Sequence, residues 1–317
     1  MIPESETFEG TWPYRPRYFD GNGFRQHYID EGESDENGNV IVCLHGEPTW
    51  GYIWRNFIPR LKGQGRVIVP DHMGFGKSQT PQDRDYWVQE HCDNLERLLL
   101  DLDVRNVTLV MQDWGGTIGS TFALRHPDRV RAICLCNTYV PWTRVPDKAY
   151  ERKWVDFIQS DQFEPTLSNL GATVLSVMKR VGFERTACID ENWIRAYATA
   201  FPSVEECRGA LQFPRSIGHA KTISFLSEQA KRHDTEAFKN IPAMCIVGEE
   251  DRAMPQEWLK FRFKSFWPNG PLVSLPGVGH YLQEDAPETV AALVEQFIQT
   301  NNPEVIVTDL PGRAWNG

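Results

Sequence analysis

The chain has 317 residues, more than a typical single domain and enough for one large α/β unit with an insertion and a sizeable buried core. Its 33 basic and 43 acidic side chains give a formal charge of −10 and are mixed along the chain; the lack of a long basic block argues against a nucleic-acid or anionic-membrane partner and favours a small, uncharged one. No run approaches the roughly 18 apolar residues of a membrane span, and the opening MIPESETFEG lacks the basic and apolar regions of a secretory signal, so a soluble, cytoplasmic protein is expected.

In chain order, the first dozen residues read as a surface extension. The first buried strand is expected at NVIVCLHG (39 to 46), running into HGEPTW (45 to 50), and the second at RVIVPDHMG (66 to 74). GFGKS (74 to 78) follows that strand and suggests a phosphate loop, but the glycine required five residues before the Gly-Lys pair is Asp71, so the match fails. A helical pattern, YWVQEHCDNLERLLLDL (86 to 102), separates it from the strand NVTLVMQD (106 to 113). A Gly-rich turn then opens the helix TIGSTFALRH (117 to 126), and VRAICLCNT (130 to 138) is the fourth strand. Continuous β-branched runs of this kind suit strands buried on both faces of a parallel sheet, and their alternation with helical patterns indicates βαβ units.

From Thr138 to about His219 the pattern is helical, with clustered aromatics that include Trp142, Trp154, Phe157, Phe163, Trp193 and Tyr197. Two further strands, AMCIVGEED (243 to 251) and GPLVSLPG (270 to 277), and a closing helix, PETVAALVEQFIQT (287 to 300), follow; the tail after Asn302 reads as another extension. The fold class expected is therefore α/β: a mostly parallel sheet flanked by helices, its core formed by 1–137 and 220–317, with a helical cap inserted at 138–219 over the sheet edge where such sheets bind ligands. The seven cysteines are an odd number, and Cys43, Cys134, Cys136 and Cys245 fall within apolar strands, as free buried thiols do. The two-residue spacing of Cys134 and Cys136 suits one face of a strand rather than a zinc knuckle, and no metal site is expected.

The chemistry collects where strands end. Asp113, backed by Gly115 and Gly116, occupies a strand–turn–helix elbow of the kind that projects a nucleophile, although an aspartate there could also simply cap the helix. Asp251 in VGEEDRAMP and His280 in LPGVGHYLQE each follow a later strand. Alone, the first reads as a solvated turn and the second as a surface histidine; together with Asp113 they stand in the chain order nucleophile, acid, base. The backbone N–H groups of Glu47 and Trp114 are the expected oxyanion-hole donors, and His45 is expected to shape its loop rather than act as a base. An ionised carboxylate can displace a leaving group from saturated carbon and form an ester, which water activated by a histidine then cleaves. Trp114, whose indole N–H is a donor only, can hold a departing halide, whereas an epoxide oxygen would need an acid such as a pair of tyrosines.

HGEPTW, PDHMGFGKS, QDWGG and GVGHYLQED resemble the haloalkane dehalogenases of the α/β-hydrolase superfamily, over about residues 20 to 138 and 240 to 300. The resemblance implies the α/β-hydrolase fold, hydrolysis of a carbon–halogen bond to alcohol, halide and a proton, and no metal or organic cofactor. The partners it implies are a small apolar halogenated substrate, water and halide. It gives Asp113 as nucleophile, His280 as base and Trp114 as a halide ligand. One branch of the family places its acid after the strand ending here in LCNTYV, where this chain has Asn137; the acid then falls to Asp251. Glu47 points to the branch that takes its second halide ligand from a lid tryptophan. Aligned on AYATAFP (196 to 202), the expected place holds Thr166, which leaves Trp142 and Trp154 as candidates against ordinary lid packing; Glu47 is also a candidate for positioning water. An epoxide hydrolase, which would need two of the lid tyrosines such as Tyr139, Tyr150 and Tyr197 aimed at Asp113, and a non-catalytic ligand-binding relative, are the competing readings. The sequence leaves oligomeric state open, a homo-oligomer included.

Overall fold

The computed structural model describes residues 2–34, 38–142, 156–163, 178 and 182–301. Its centre is an eight-stranded sheet: β1 (Arg17–Phe19), β2 (Gln26–Glu31), β3 (Val40–Leu44), β4 (Arg66–Pro70), β5 (Val107–Gln112), β6 (Val130–Cys136), β7 (Ala243–Gly248) and β8 (Leu272–Leu275), in the spatial order 1-2-4-3-5-6-7-8. The pairs from β4 through β8 are parallel, with Val42 opposite Ile68 and Leu109, while β1, β2 and β4 pair antiparallel. Every residue of β3, β5 and β7 is buried, which is why these strands read as unbroken apolar runs rather than alternating ones.

The sequence pattern does not announce β1 and β2. The first is three residues long and half-exposed, and the second, QHYIDE, carries polar groups on both faces.

Helices α1 (Ile58–Leu61), α2 (Val88–Asp101) and α3 (Trp114–Arg125) connect the first strands. Between β6 and β7 lie α4 (Glu191–Ala198), α5 (Arg208–Ser216), α6 (Ala220–Arg232) and α7 (Thr235–Lys239). The chain closes with α8 (Gln256–Phe266), α9 (Leu282–Asp285) and α10 (Pro287–Thr300). Among the described residues no helix is long and apolar enough to cross a membrane, and the seven cysteines are free.

The N-terminal dozen is not a surface extension. Ile2, Phe8 and Trp12 are buried, the last two completely. Phe8 and Trp12 pack on Trp50 at 5.8 and 5.2 Å between ring centroids, and the buried Lys77 ammonium donates to the carbonyls of Glu4 and Glu6. Lys77, part of the discarded phosphate-loop match, is thus a tether for this arm. Asp71, at the position that failed that match, accepts from the N–H groups of Gly51 and Lys77 and pairs with His27 at 2.8 Å.

The chain runs from β3 to β4 on one side and then to β5 on the other side of β3, so the strand order reverses beside β3 and β5. A crevice opens at such a point beyond the carboxyl ends of the strands. Gly46 and Glu47 leave β3 there, and Asp113 leaves β5.

Candidate active site

Asp113 occupies the turn between β5 and α3 with φ 48° and ψ −122°, a backbone conformation that costs a side-chain-bearing residue energy and that tight packing must enforce. Three glycines allow it. A Cβ on Gly46 would lie 2.3 Å from the Asp113 carboxylate, one on Gly115 2.4 Å from the carbonyl of Leu44, and one on Gly116 2.0 Å from Thr138 Oγ1. Thr138 Oγ1 in turn donates to the Asp113 carbonyl at 2.5 Å. Although Asp113 stands at the N-cap position of α3, its side chain makes no capping bond. The carboxylate turns away from the helix and accepts the Glu47 N–H on Oδ1 at 2.7 Å.

His280 comes to the same carboxylate from the far end of the chain. Its Nε2 lies 3.5 Å from Asp113 Oδ2, and its Nδ1–H donates to Asp251 Oδ2 at 2.9 Å. Asp251 is fixed through its other oxygen by the N–H groups of Ala253 and Met254, at 2.7 and 2.8 Å. Burial disfavours the imidazolium, but the charges of Asp251 and Asp113 and their hydrogen bonds outweigh it, so that the His280 pKa is raised to about 10. All three predicted members thus meet.

Two polar residues join them, Asn137, known from the sequence only as the residue at another branch's acid position, and Gln112, which the sequence did not single out. Asn137, itself at φ 44°, donates from Nδ2 to the carbonyls of Gly279 and His280 at 2.7 and 3.0 Å, and its Oδ1 accepts the Gly248 N–H at 2.8 Å. It fastens the His280 loop to the end of β7. The Gln112 amide approaches His280 Nε2 to 3.1 Å. A glutamine at the end of a fully buried strand was the available signal for it.

Opposite, Tyr281 donates its hydroxyl to the Glu47 carbonyl at 3.2 Å. The Glu47 carboxyl is held well above the usual carboxylate range by burial and by the Asp113 charge. His45 keeps to a structural role: its Nε2 accepts the His72 N–H, and the His72 ring donates back to the His45 carbonyl, both at 2.9 Å. Burial holds both imidazoles neutral by lowering their pKa. Trp114 is partly buried, and its indole stacks on Phe213 of α5 at 5.2 Å and 16°; Phe213 stacks on Phe75 as well, at 5.1 Å and 23°.

Residues 39–287 match the alpha/beta hydrolase fold family. A haloalkane dehalogenase from Psychrobacter cryohalolentis is 33% identical over 300 residues, covering 87% of this chain and 88% of that protein. The chain belongs to the haloalkane dehalogenase family of α/β hydrolases. The relatives also include a cis-3-alkyl-4-alkyloxetan-2-one decarboxylase from Xanthomonas campestris pv. campestris, 30% identical over 312 residues and covering 93% of this chain and 99% of that one. Among solved structures, the haloalkane dehalogenase DatA from Agrobacterium tumefaciens C58 aligns with a TM-score of 0.76 at 25% identity, over 91% of this chain and 97% of that chain.

Within the haloalkane dehalogenase family frame, the remaining candidates fare unequally. Trp142 does not bring its indole N–H to Asp113; it donates to the Leu226 carbonyl at 2.9 Å and its ring packs edge-on against Phe238. Its single N–H is committed to that carbonyl. Trp154, Thr166 and Tyr150 lie outside the described residues. Tyr197 donates its hydroxyl to Glu284 at 2.5 Å, and Tyr139 packs against Trp258 and the Arg262 guanidinium. Among the described residues no group of three or more His, Cys, Asp or Glu side chains is arranged to hold a metal ion.

Proposed function

We propose that this α/β hydrolase cleaves the carbon–halogen bond of small haloalkanes, with Asp113 as nucleophile. The observation that carries the reading is the uncapped Asp113 carboxylate at its elbow, held by the Glu47 N–H at 2.7 Å and faced by an Asp251-backed His280 at 3.5 Å. An Asp113 oxygen attacks the carbon, the carbon–halogen pair leaves with the halogen, and the indole N–H of Trp114 receives the anion. The product of this step is an alkyl ester of Asp113.

Ester formation removes the Asp113 charge, which is among the influences that hold the His280 pKa near 10. His280 then gives up its proton more readily and takes one from a water molecule, whose oxygen attacks the ester carbonyl. Asp251 steadies the imidazolium that forms, and the N–H groups of Glu47 and Trp114 serve the oxyanion. The alcohol leaves, Asp113 is regenerated, and the net release is halide and one proton. The helical insertion between β6 and β7 acts as the lid that shapes the substrate pocket.

Epoxide opening is less well supported, because the hydroxyl of Tyr197, one of its candidate acids, is donated to Glu284. A second reading rests on the decarboxylase relative, whose match spans 93% of the chain. There the same carboxylate would attack the ring carbon bearing the oxygen of a four-membered lactone and open that C–O bond to a free carboxylate; loss of carbon dioxide then breaks the C–C bond, whose pair forms an alkene as the Asp113 carboxylate departs from the neighbouring carbon.

The test is halide release from a short bromoalkane by the native protein and by Asp113→Ala, with an epoxide and a dialkyl oxetan-2-one run in parallel. The expected outcome is bromide release that falls by at least roughly 10⁴-fold in the variant. No halide from a broad haloalkane set, with turnover of the epoxide or the lactone, would overturn it.

A further inference from the structure

Asp251 holds His280 at Nδ1, but the other ring nitrogen, which has to take a proton from water, lacks so close an acceptor. Asp113 Oδ2 lies 3.5 Å from Nε2, longer than the roughly 2.7–2.9 Å of a charge-assisted bond. Once Asp113 has become an ester, its charge is gone as well. The Gln112 amide stands closer to Nε2, at 3.1 Å.

Gln112 ends β5 one residue before the elbow and is fully buried. Its amide nitrogen faces Nε2, while its Oε1 is buried with no hydrogen-bond partner. An amide nitrogen only donates, so this arrangement suits the neutral imidazole, whose Nε2 carries a lone pair when Nδ1–H is committed to Asp251. An imidazolium would set one N–H against another across 3.1 Å. A half-turn of the amide removes the conflict, because Oε1 then stands where the nitrogen stood and accepts the Nε2–H. Nothing bonds Oε1 at the far end, so the turn breaks no second hydrogen bond. His280 alone decides which end of the amide it meets.

The charged and titratable groups around the imidazole are Asp251 beyond β7, Asp113 beyond β5 and Tyr281, whose ring packs edge-on at 4.9 Å. In the ester only Asp251 among them keeps a charge, and it is engaged at Nδ1. An Nε2–H formed at that stage needs an acceptor from elsewhere.

We propose that Gln112 is a positioning residue for the general base: it turns its amide with the charge of His280, donating to the neutral imidazole and accepting, through Oε1, from the imidazolium formed as water attacks the ester. The inference rests on the dehalogenase reading. In that step the water oxygen bonds to the ester carbonyl carbon and its proton moves to Nε2; Gln112 neither gains nor loses a proton, and the Nε2 proton later passes to solvent.

Gln112→Met removes the amide at similar length, and Gln112→Glu keeps an acceptor of the same reach while adding a charge. Rapid mixing with a short bromoalkane separates the half-reactions, since the bromide burst reports displacement and the mass of the alkylated protein reports the ester. The Met variant is expected to release its first equivalent of bromide at the native rate and then to accumulate ester, hydrolysed about 10-fold more slowly, with the pH of half-maximal hydrolysis moved down. In the Glu variant that pH moves up by about one unit, because a carboxylate holds the imidazolium proton more tightly. A Met variant that hydrolyses its ester like native overturns the proposal, and so does one slowed equally in both half-reactions, the mark of a merely structural residue. The Glu variant carries the test whether or not the Met variant folds: an unmoved pH profile overturns the proposal. A native protein that releases no bromide brings down the dehalogenase reading and this inference with it, a result distinct from a working dehalogenase whose ester hydrolysis ignores Gln112→Met.

Discussion

Asn137 shows how a single polar side chain carries the His280 loop. Its amide nitrogen points at two backbone carbonyls, those of Gly279 and His280, and only a donor can sit there. Asn137→Asp keeps the shape and replaces the donor by a carboxylate facing two acceptors. The expected result is a loss of about 1–3 kcal/mol in stability together with slower turnover; urea denaturation and the rate of halide release check it, and a variant as stable as native would remove Asn137 from its positioning role. Asp113, Asp251 and His280 were legible because each follows a buried run at a place where this topology exposes side chains. Asn137 was legible only as the missing acid of another branch. What it does depends on contact with residues 142 and 143 positions later, which no local pattern records. Phe213 was invisible for the same reason.

Elements are locked together by a buried charge cluster. Arg55, beyond the HGEPTW loop, grips Glu284 of α9 through both nitrogens at 2.5 and 2.8 Å, and Tyr197 of α4 donates to the same carboxylate. Three segments far apart in the chain, all beside the site, thus converge on one buried side chain. Removing it leaves a largely buried guanidinium without its counter-charge. Glu284→Ala should cost about 3–5 kcal/mol, and Tyr197→Phe only about 1 kcal/mol, by denaturant midpoint; equal losses would show that Arg55 is solvated on its own. The sequence pattern gave α2 and α10 their helices and left this cluster unread. The N-terminal arm was misread because its few polar and aromatic residues resemble an extension, whereas Phe8 and Trp12 find their partners at Trp50 and Tyr52, about forty positions on.

At the scale of the whole molecule, folding and protonation are coupled through His280. Its folded pKa, about 10, lies above its ordinary 6.5, so the fold binds this proton more tightly than the unfolded chain does. The resulting stabilisation is complete below 6.5 and drains away as pH rises through about 10. The difference in melting temperature between the native protein and His280→Gln should therefore narrow on the alkaline side of that window; a gap that stays constant would sink the assignment. The parallel core of the sheet was legible because strands buried on both faces write themselves as apolar runs, while β1 and β2, short and partly wet, leave no such trace. One consequence concerns the stack of Phe75, Trp114 and Phe213. Two of its rings come from the part of the chain before β6 and the third from α5 in the insertion. Grafting the insertion of one relative onto the sheet of another is thus no neutral exchange of parts, because the graft must bring an aromatic ring of its own or leave Trp114 with one face bare.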